Sequence, residues 1–304
     1  MKTSNYRNVK PYSTPTSKPM KETDIRTALQ NGSAYLSRSG ADTPYLDACL
    51  LLSETLSIEK EQLFARLSDT LAEDSHNKYQ GLLTQRAAGV PVSYLRKRKE
   101  FYGLEFYVDS RVLVPRPDTE LIVETVLEVT DESPQFDSVH DCCTGSGCIA
   151  LTLAKLHPGI EVSASDISEP ALEVFKLNNE RLLSRRPASY VSDLLENVPG
   201  RYHIIVSNPP YLLSSEVDTM QTAGWPEPRI ALDGGDDGLD LVRKLAEQAK
   251  TKLHPRGYLI LEVADQQMAA TVAILNDSGY SDVAVRHDLA GRRRVCLGRN
   301  RAKS

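Results

Sequence analysis

No apolar stretch in this chain approaches the roughly 20 residues that span a bilayer, so no membrane-crossing helix is expected. Excess positive charge is also lacking. With a formal net charge of −5 there is no broad basic field of the kind that tight duplex binding uses, and no direct nucleic-acid contact is expected. Cysteine is scarce: Cys49, Cys142, Cys143, Cys148 and Cys296 are odd in number, and no pair has zinc-ligand spacing. The chain therefore reads as reduced, intracellular and cytoplasmic, with no metal site. No internal repeat is visible. The first 21 residues contain no acid, three prolines and many hydroxyls. They have neither the apolar core of a secretory signal nor an amphipathic pattern, and a disordered tail is expected over 1–20. What is present is ordinary globular composition, 40% hydrophobic and 25% charged, and 304 residues allow two domains.

Residues 21–98 have helical periodicity. "DIRTALQNGSAYL" sets Ile25, Ala28, Leu29 and Leu36 near one face, and "DTPYLDACLLLSETL" offers Asp42 or Thr43 as N-cap with Pro44 in the first turn. "DTLAEDSHNKYQGLLTQRAAG" spaces Leu71, Tyr79, Leu82 and Leu83 for burial and stops at Gly89. A small helical domain is expected. The aromatic and β-branched "FYGLEFYVDSRVLVP" reads as a hairpin linker over 99–116, with Asp109-Ser110 in the middle. Over 117–304 strand-like runs ("SVHDCC", "IEVSAS", "YHIIVS", "YLILEV") alternate with helix-like ones. That alternation predicts an α/β, doubly wound, Rossmann-like sheet whose ligands sit outside the C-terminal strand ends.

Two stretches at such strand ends carry chemistry. In "DCCTGSGCIAL" a strand passes through Cys143, Thr144, Gly145, Ser146 and Gly147 into a helix, and the glycines permit close ligand approach and positive φ. The spacing is not that of the dinucleotide fingerprint G-x-G-x-x-G. Asp166 closes the next strand, where its carboxylate can accept from both hydroxyls of a ribose. Together they point to a nucleoside cofactor. Asp193, one strand further on, reads as an acceptor for an adenine amino group or as a helix N-cap, and Leu194 as a ring contact or core. The second stretch is "SNPPYLL". Pro209 and Pro210 cannot continue a ladder, and an amide precedes them while an aromatic ring follows.

Glycine-rich turn, ribose acid and strand-NPPY occur in the order seen in S-adenosylmethionine-dependent N-methyltransferases. The chemistry fits, because a planar amide or aryl amine nitrogen has a delocalised lone pair and must be oriented and made pyramidal. Two fixed acceptors do this, the Asn208 side-chain oxygen and a carbonyl held by the prolines, that of Pro209, while Tyr211 stacks on the substrate. "VLVPRPDTELIVE", "CTGSGCIAL", "SNPPY", "EPRIALDGGDDGLDLVR" and "DLAGRRRVCLGR" extend the likeness: over about 22–300 the chain resembles the HemK-type release factor glutamine methyltransferases. The resemblance implies N5-methylation of the glutamine in a release factor's Gly-Gly-Gln loop. It places the cofactor on Cys143–Gly147, Asp166, Leu194 and Asn208, and the substrate on Asn208, Pro209, Pro210 and Tyr211. Cys143 stands where many members have glycine. "CTGSGCIA" is also similar to the branch acting on a large-subunit ribosomal protein, whereas "PRPDTE" and "GGDDGLDL" go with the release factor branch. The blander readings are a salt bridge from Arg116 to Asp118 or Glu120, a turn with an Asp cap at "GGDDGLD", small buried residues at Cys142-Cys143, and charge protecting an edge strand at Arg292–Arg294.

Overall fold

The computed structural model describes residues 23–183 and 187–301, so the tail expected over 1–20 lies outside the described residues. The chain forms two compact units. One runs to Lys97 and takes in Thr222–Pro226, and the other comprises Arg98–Gln221 and the chain from Glu227 onward.

In the first unit five helices, α1 (Ile25–Arg38), α2 (Pro44–Leu56), α3 (Lys60–Ala65), α4 (Glu73–Ala87) and α5 (Val92–Arg96), accompany a two-stranded bridge of β1 (Thr23–Asp24) and β2 (Thr70–Leu71). Ile25, Ala28, Leu29 and Leu36 are all buried, as the periodicity requires. Asp24 caps α1 by accepting from the Thr27 N–H at 2.7 Å. Thr43 is the N-cap of α2, but its hydroxyl donates to Asp47 at 2.7 Å instead of capping. Asp47 also accepts from Arg86 Nε at 2.7 Å, which ties α2 to α4. Leu71 lies in β2, ahead of α4, because it pairs with Thr23.

The second unit opens with a hairpin placed differently from the expectation. Its strands are β3 (Lys99–Phe101) and β4 (Leu104–Phe106), and the turn is Tyr102-Gly103, both at positive φ. A two-residue turn with positive φ at both centres matches strand twist, and glycine makes one of them inexpensive. Asp109 instead closes a later bend, accepting from the Arg111 N–H at 3.1 Å and its Nε at 2.9 Å.

Beyond the hairpin come α6 (Glu120–Glu132), β5 (Ser138–Cys142), α7 (Cys148–Leu156), β6 (Glu161–Asp166), α8 (Glu169–Leu182), β7 (Ala188–Val191), β8 (Tyr202–Ser207) and α9 (Ser214–Thr222). The chain then continues through α10 (Asp240–Lys252), β9 (Leu253–Glu262), α11 (Met268–Asp277), β10 (Tyr280–His287) and β11 (Arg293–Asn300). The sheet order is β10-β11-β9-β8-β5-β6-β7, parallel from β9 to β7 and antiparallel at β11 and β10. One face packs Ile122, Val126, Ile149, Leu153 and Phe175. The other packs Val242, Leu245, Leu259, Leu261 and Met268. Strands covered on both faces are apolar throughout, which is why "HIIV" does not alternate. β11 lies between β9 and β10, so the arginines at its start do not guard an edge. They meet acids instead: Arg293 binds Asp265 at 2.7 Å, and Arg294 binds Asp118 at 2.8 Å.

Chain order reverses at β5, which has β6 on one side and β8 on the other, and ligands of such sheets bind at this reversal. The backbone after β8 is held there without a ladder. Leu212 N–H donates to Leu232 O at 2.9 Å and Gly234 N–H to Leu212 O at 2.8 Å. Gln267 Nε2 donates to Tyr211 O at 2.7 Å. "LDGGDDG" is therefore a clasp as well as a turn. A Cβ on Gly234 would come within 2.7 Å of Pro210 O, and one on Gly238 within 2.3 Å of Tyr211 O. The expected Asp cap is not made: the N-cap of α10 is Leu239, with no side-chain cap, and Asp237 Oδ1 accepts from the Leu239 N–H at 3.0 Å within the turn before the helix. Gly238→Ala is expected to destabilise the fold by about 2–4 kcal/mol, since strain at positive φ adds to overpacking. Gly200→Ala also falls at positive φ but has no atom within 4 Å, and it should lose only about 1 kcal/mol. Equal losses in urea melts would contradict the clasp.

Candidate active site

At the reversal the structure contains a cavity of about 520 Å³. Of the residues expected to bind cofactor, Cys143, Thr144, Gly145, Ser146, Asp166, Asp193, Leu194 and Asn208 line it, with Pro210 from the loop. Three expected residues do not. Gly147 caps α7 at φ 82°, and a Cβ there would come within 2.6 Å of Phe175, so this glycine serves helix packing. Pro209 is buried, and Tyr211 is half-buried outside the lining. The Tyr211 hydroxyl is pushed up to about 12 by burial and by Glu262, with Arg294 opposing.

The turn leaving β5 explains its own sequence. Cys143 (φ 61°) and Gly145 (φ 55°) both occupy the left-handed region that favours glycine. Cys143 is thus a non-glycine residue at a position made for one, and its neighbour Cys142 is fully buried. Neither cysteine is in a disulfide. Thr144 N–H donates to Ser165 O at 3.0 Å, and the Thr144 hydroxyl to Asp141 Oδ2 at 2.6 Å. Asp166 steadies the same turn, Oδ2 accepting from the Gly145 N–H at 2.8 Å while Oδ1 accepts from the Ser168 N–H at 2.9 Å. Each of its oxygens keeps a lone pair for a further donor. Burial raises the Asp166 pKa, opposed by these backbone bonds.

Asp193 and Leu194 lie at the end of β7. Asp193 caps no helix; its Oδ2 is taken by Lys244 Nζ at 2.6 Å, and a turn follows it. Leu194 is buried at φ 51°, a second non-glycine residue in the left-handed region facing the cavity. Arg116 also lines the cavity, paired with Glu227 at 2.6 Å and not with Asp118 or Glu120. Glu227 is buried and accepts from the Val114 N–H at 3.0 Å as well, so it joins "VLVPRP" to the chain after α9.

At the end of β8, Ser207 Oγ donates to Cys142 O at 2.7 Å, fixing one strand end against the next. Asn208 Nδ2 donates to Thr119 Oγ1 at 3.0 Å. That use of the amide nitrogen leaves Oδ1 as the acceptor of the side chain.

Sequence reasoning missed the polar residues behind this surface. Asp141 is fully buried, and while Oδ2 also accepts from the Ala150 N–H at 3.2 Å, Oδ1 has no partner. Burial pushes its carboxyl up to about 7 against those two bonds. Glu262 ends β9, is also buried, and is likewise pushed up to about 7 by burial, with the neighbouring Thr119 opposing. Thr119 was legible only as part of "PRPDTE". A carboxylate closing the apolar run "LILE" at a strand end was the signal available for Glu262.

The donors and acceptors present suit a nucleoside cofactor with an amino-acid tail. A Cβ on Gly145 would have nothing within 4 Å, so the turn is open on that side. Asp166, which lines the cavity beside that turn, keeps a lone pair on each carboxylate oxygen for a further donor. Among the described residues no cluster of three or more histidines, cysteines and acids could hold a metal.

The raised carboxyl of Asp141 has a stability consequence. Between the unfolded value of 3.8 and the folded value of about 7, the folded state binds more protons, so stability falls as pH rises through that window. Relative to Asp141→Asn, the wild type should lose about 2–3 kcal/mol between pH 5 and pH 8. Urea melts of both proteins at the two pH values check this, and parallel pH dependences would contradict it.

Comparisons with known proteins agree with this geometry. Residues 27–96 match the family model described as PrmC N-terminal domain, and residues 117–223 the Methyltransferase small domain. Among solved structures, a methyltransferase from Pyrococcus furiosus superposes with TM-score 0.51 at 19% identity, over 72% of this chain and 98% of that one. The 16S rRNA N2 G1207 methyltransferase of T. Thermophilus superposes with TM-score 0.50 at 18% identity, over 67% and 50%. These likenesses show the methyltransferase fold. Relatives by sequence are nearer. The release factor glutamine methyltransferase of Moorella thermoacetica is 38% identical over 91% of this chain and 99% of its own length. That of Neisseria gonorrhoeae is 38% identical over 84% and 93%. Identity at this level along nearly the whole of such relatives, with the turn and the Asn208 loop facing one cavity, settles the kinship: the chain belongs to the release factor glutamine methyltransferase family.

Proposed function

We propose that this protein transfers a methyl group from S-adenosylmethionine to the side-chain amide nitrogen of the glutamine in the Gly-Gly-Gln motif of peptide chain release factors. The observation that carries the reading is the fixed orientation of Asn208, whose Nδ2 is spent on Thr119 and whose Oδ1 is left to accept at a cavity shared with the glycine turn. A substrate that meets such an acceptor must offer a hydrogen-bond donor, and the nitrogen of a primary amide offers two N–H groups.

The cofactor supplies an electrophilic methyl on a sulfonium; the chain supplies position. Asp166 accepts from the ribose hydroxyls, Cys143, Thr144, Gly145 and Ser146 form the turn that the cofactor lies against, and Leu194 packs on its base. Asp193 serves the adenine end, where Lys244 already holds its Oδ2. Asn208 Oδ1 accepts one N–H of the glutamine amide and the Pro209 carbonyl the other. Both acceptors favour the pyramidal nitrogen over the planar one, and this preference grows as the new N–C bond forms. One proton then leaves the nitrogen for water. No general base is needed, because the protonated N-methyl amide is a strong acid. Tyr211, half-buried and outside the cavity lining, is assigned the role of flanking the incoming glutamine with its ring. The helical unit at 23–97 is the platform for the release factor, and the cytoplasm is the compartment where that partner is met.

The test is peptide mapping by mass spectrometry of a recombinant release factor after incubation with enzyme and cofactor. One methyl on the Gly-Gly-Gln glutamine is expected, and none on a factor carrying glutamate there. Methyl found instead on a ribosomal protein or on adenine in nucleic acid would overturn the reading. Asn208→Ala should lower single-turnover transfer at saturating cofactor by about 10²–10³-fold, the scale of one preorganised hydrogen-bonding group aimed at a transition state. A folded Asn208→Ala protein transferring at the wild-type rate would remove Asn208 from the mechanism.

A further inference from the structure

A leucine does not enter the left-handed region of backbone space unaided, because its Cβ crowds the neighbouring carbonyl. Leu194 is there at φ 51°, buried, just beyond β7 and in the wall of the cavity. A residue in a strained conformation persists only where its surroundings fix it, and such residues gather at ligand clamps. At Leu194 the peptide on either side is held.

The peptide that follows Leu194 is gripped at both of its polar groups. Its carbonyl oxygen accepts from Ser165 Oγ at 3.2 Å, and its N–H, that of Leu195, donates to Gln248 Oε1 at 2.8 Å. Ser165 is fully buried in β6 and Gln248 lies on α10, so a strand and a helix hold one peptide between them. The peptide that precedes Leu194 is held as well, the Asp193 carbonyl accepting from the Glu196 N–H at 3.2 Å. Peptides are rigid planes, and φ and ψ of a residue only set how the plane before it is turned against the plane after it. With both planes fixed, Leu194 cannot relax.

The holding groups are themselves braced. A carbonyl can only accept, so Ser165 spends its one hydrogen on Leu194. His140 Nε2 lies 2.9 Å from the same hydroxyl and is then the donor to it, which leaves His140 Nδ1 to accept from Ser163 Oγ at 2.8 Å. His140 is fully buried in β5, and burial pushes its imidazole down to about 3, so the ring is neutral with a single hydrogen to give. On the helix side Lys244 lies one turn before Gln248 and binds Asp193 at 2.6 Å and Glu196 at 3.1 Å.

We propose that Ser165 and Gln248 are positioning residues that clamp the backbone of Leu194 in its left-handed form, so that its side chain stands ready for the base of the cofactor before the cofactor arrives. The proposal rests on the cofactor reading given above and adds to it the device that shapes the wall for the base. Neither Ser165 nor Gln248 lines the cavity, so each acts through Leu194.

Gln248→Met keeps the length and removes the acceptor, Gln248→Glu keeps an acceptor, and Ser165→Ala removes the donor on the other side. Gln248 is only half-buried, so its variants should fold. In calorimetry on the full-length protein, the Kd for S-adenosylhomocysteine should rise about 5–20-fold in Gln248→Met and in Ser165→Ala, the scale of one lost hydrogen bond's worth of order. It should stay within about threefold of wild type in Gln248→Glu. 5′-Methylthioadenosine keeps the base and ribose but has no amino-acid tail, and its Kd should rise by the same factor in each variant. A merely structural role for the clamp would lower the urea midpoint and leave both affinities where they were. Unchanged affinity for both ligands in folded Gln248→Met or Ser165→Ala would therefore overturn the proposal. So would a Gln248→Glu protein as weak as Gln248→Met, or a loss seen with S-adenosylhomocysteine alone. A wild-type protein that bound neither ligand would overturn the cofactor reading itself, and the proposal with it.

Discussion

A backbone that leaves a sheet loses the ladder that would hold it, and the segment after β8 leaves the sheet where the chemistry needs rigidity. Pro209 and Pro210 stiffen the segment by fixing φ, but they also remove two N–H groups from any ladder. Rigidity must then come from behind. It comes through Leu212 with Leu232 and Gly234, through Gln267 on the Tyr211 carbonyl, and through Ser207 on Cys142. Gly234 and Gly238 are glycine because the clasp passes too close to the loop for a side chain. The catalytic reading depends on this constraint, since an acceptor that can swing away gains nothing over water.

The second theme is buried charge at strand ends. Asp141, Asp166 and Glu262 end or nearly end β5, β6 and β9, and burial raises the pKa of all three. Two of the carboxyls each hold two groups. Asp141 and Asp166 shape the glycine turn through Thr144, Ala150, Gly145 and Ser168. Glu262 is buried at the end of β9, and its Oε2 has no partner. Stability is thereby spent on holding a few acceptors in place, a trade common at sites that must be preorganised before substrate arrives.

Much of this was legible in the sequence, for identifiable reasons. The alternation of runs after Pro117 gave the parallel sheet, and the helical periodicity of Ile25, Ala28, Leu29 and Leu36 gave a buried face. Asp166 and Asn208 could be singled out because a ligand-facing residue at a strand end follows from topology alone. Long-range pairings could not be read. Arg116 was expected to meet a near neighbour and meets Glu227. The hairpin turned at Tyr102-Gly103 because positive φ at two adjacent residues outweighed the polar signal at Asp109-Ser110. Arg292–Arg294 looked like edge protection, because a final strand inserted between two others is invisible until the sheet order is known.

The central claim is that Asn208 and Pro209 present two fixed acceptors to a primary amide. The most direct measurement is a crystal structure of the protein with S-adenosylhomocysteine and a Gly-Gly-Gln peptide. The account expects the glutamine amide nitrogen within hydrogen-bond distance of both Asn208 Oδ1 and the Pro209 carbonyl, with Asn208 Nδ2 still on Thr119. A glutamine nitrogen bound elsewhere in the cavity, or one touching neither acceptor, would contradict it.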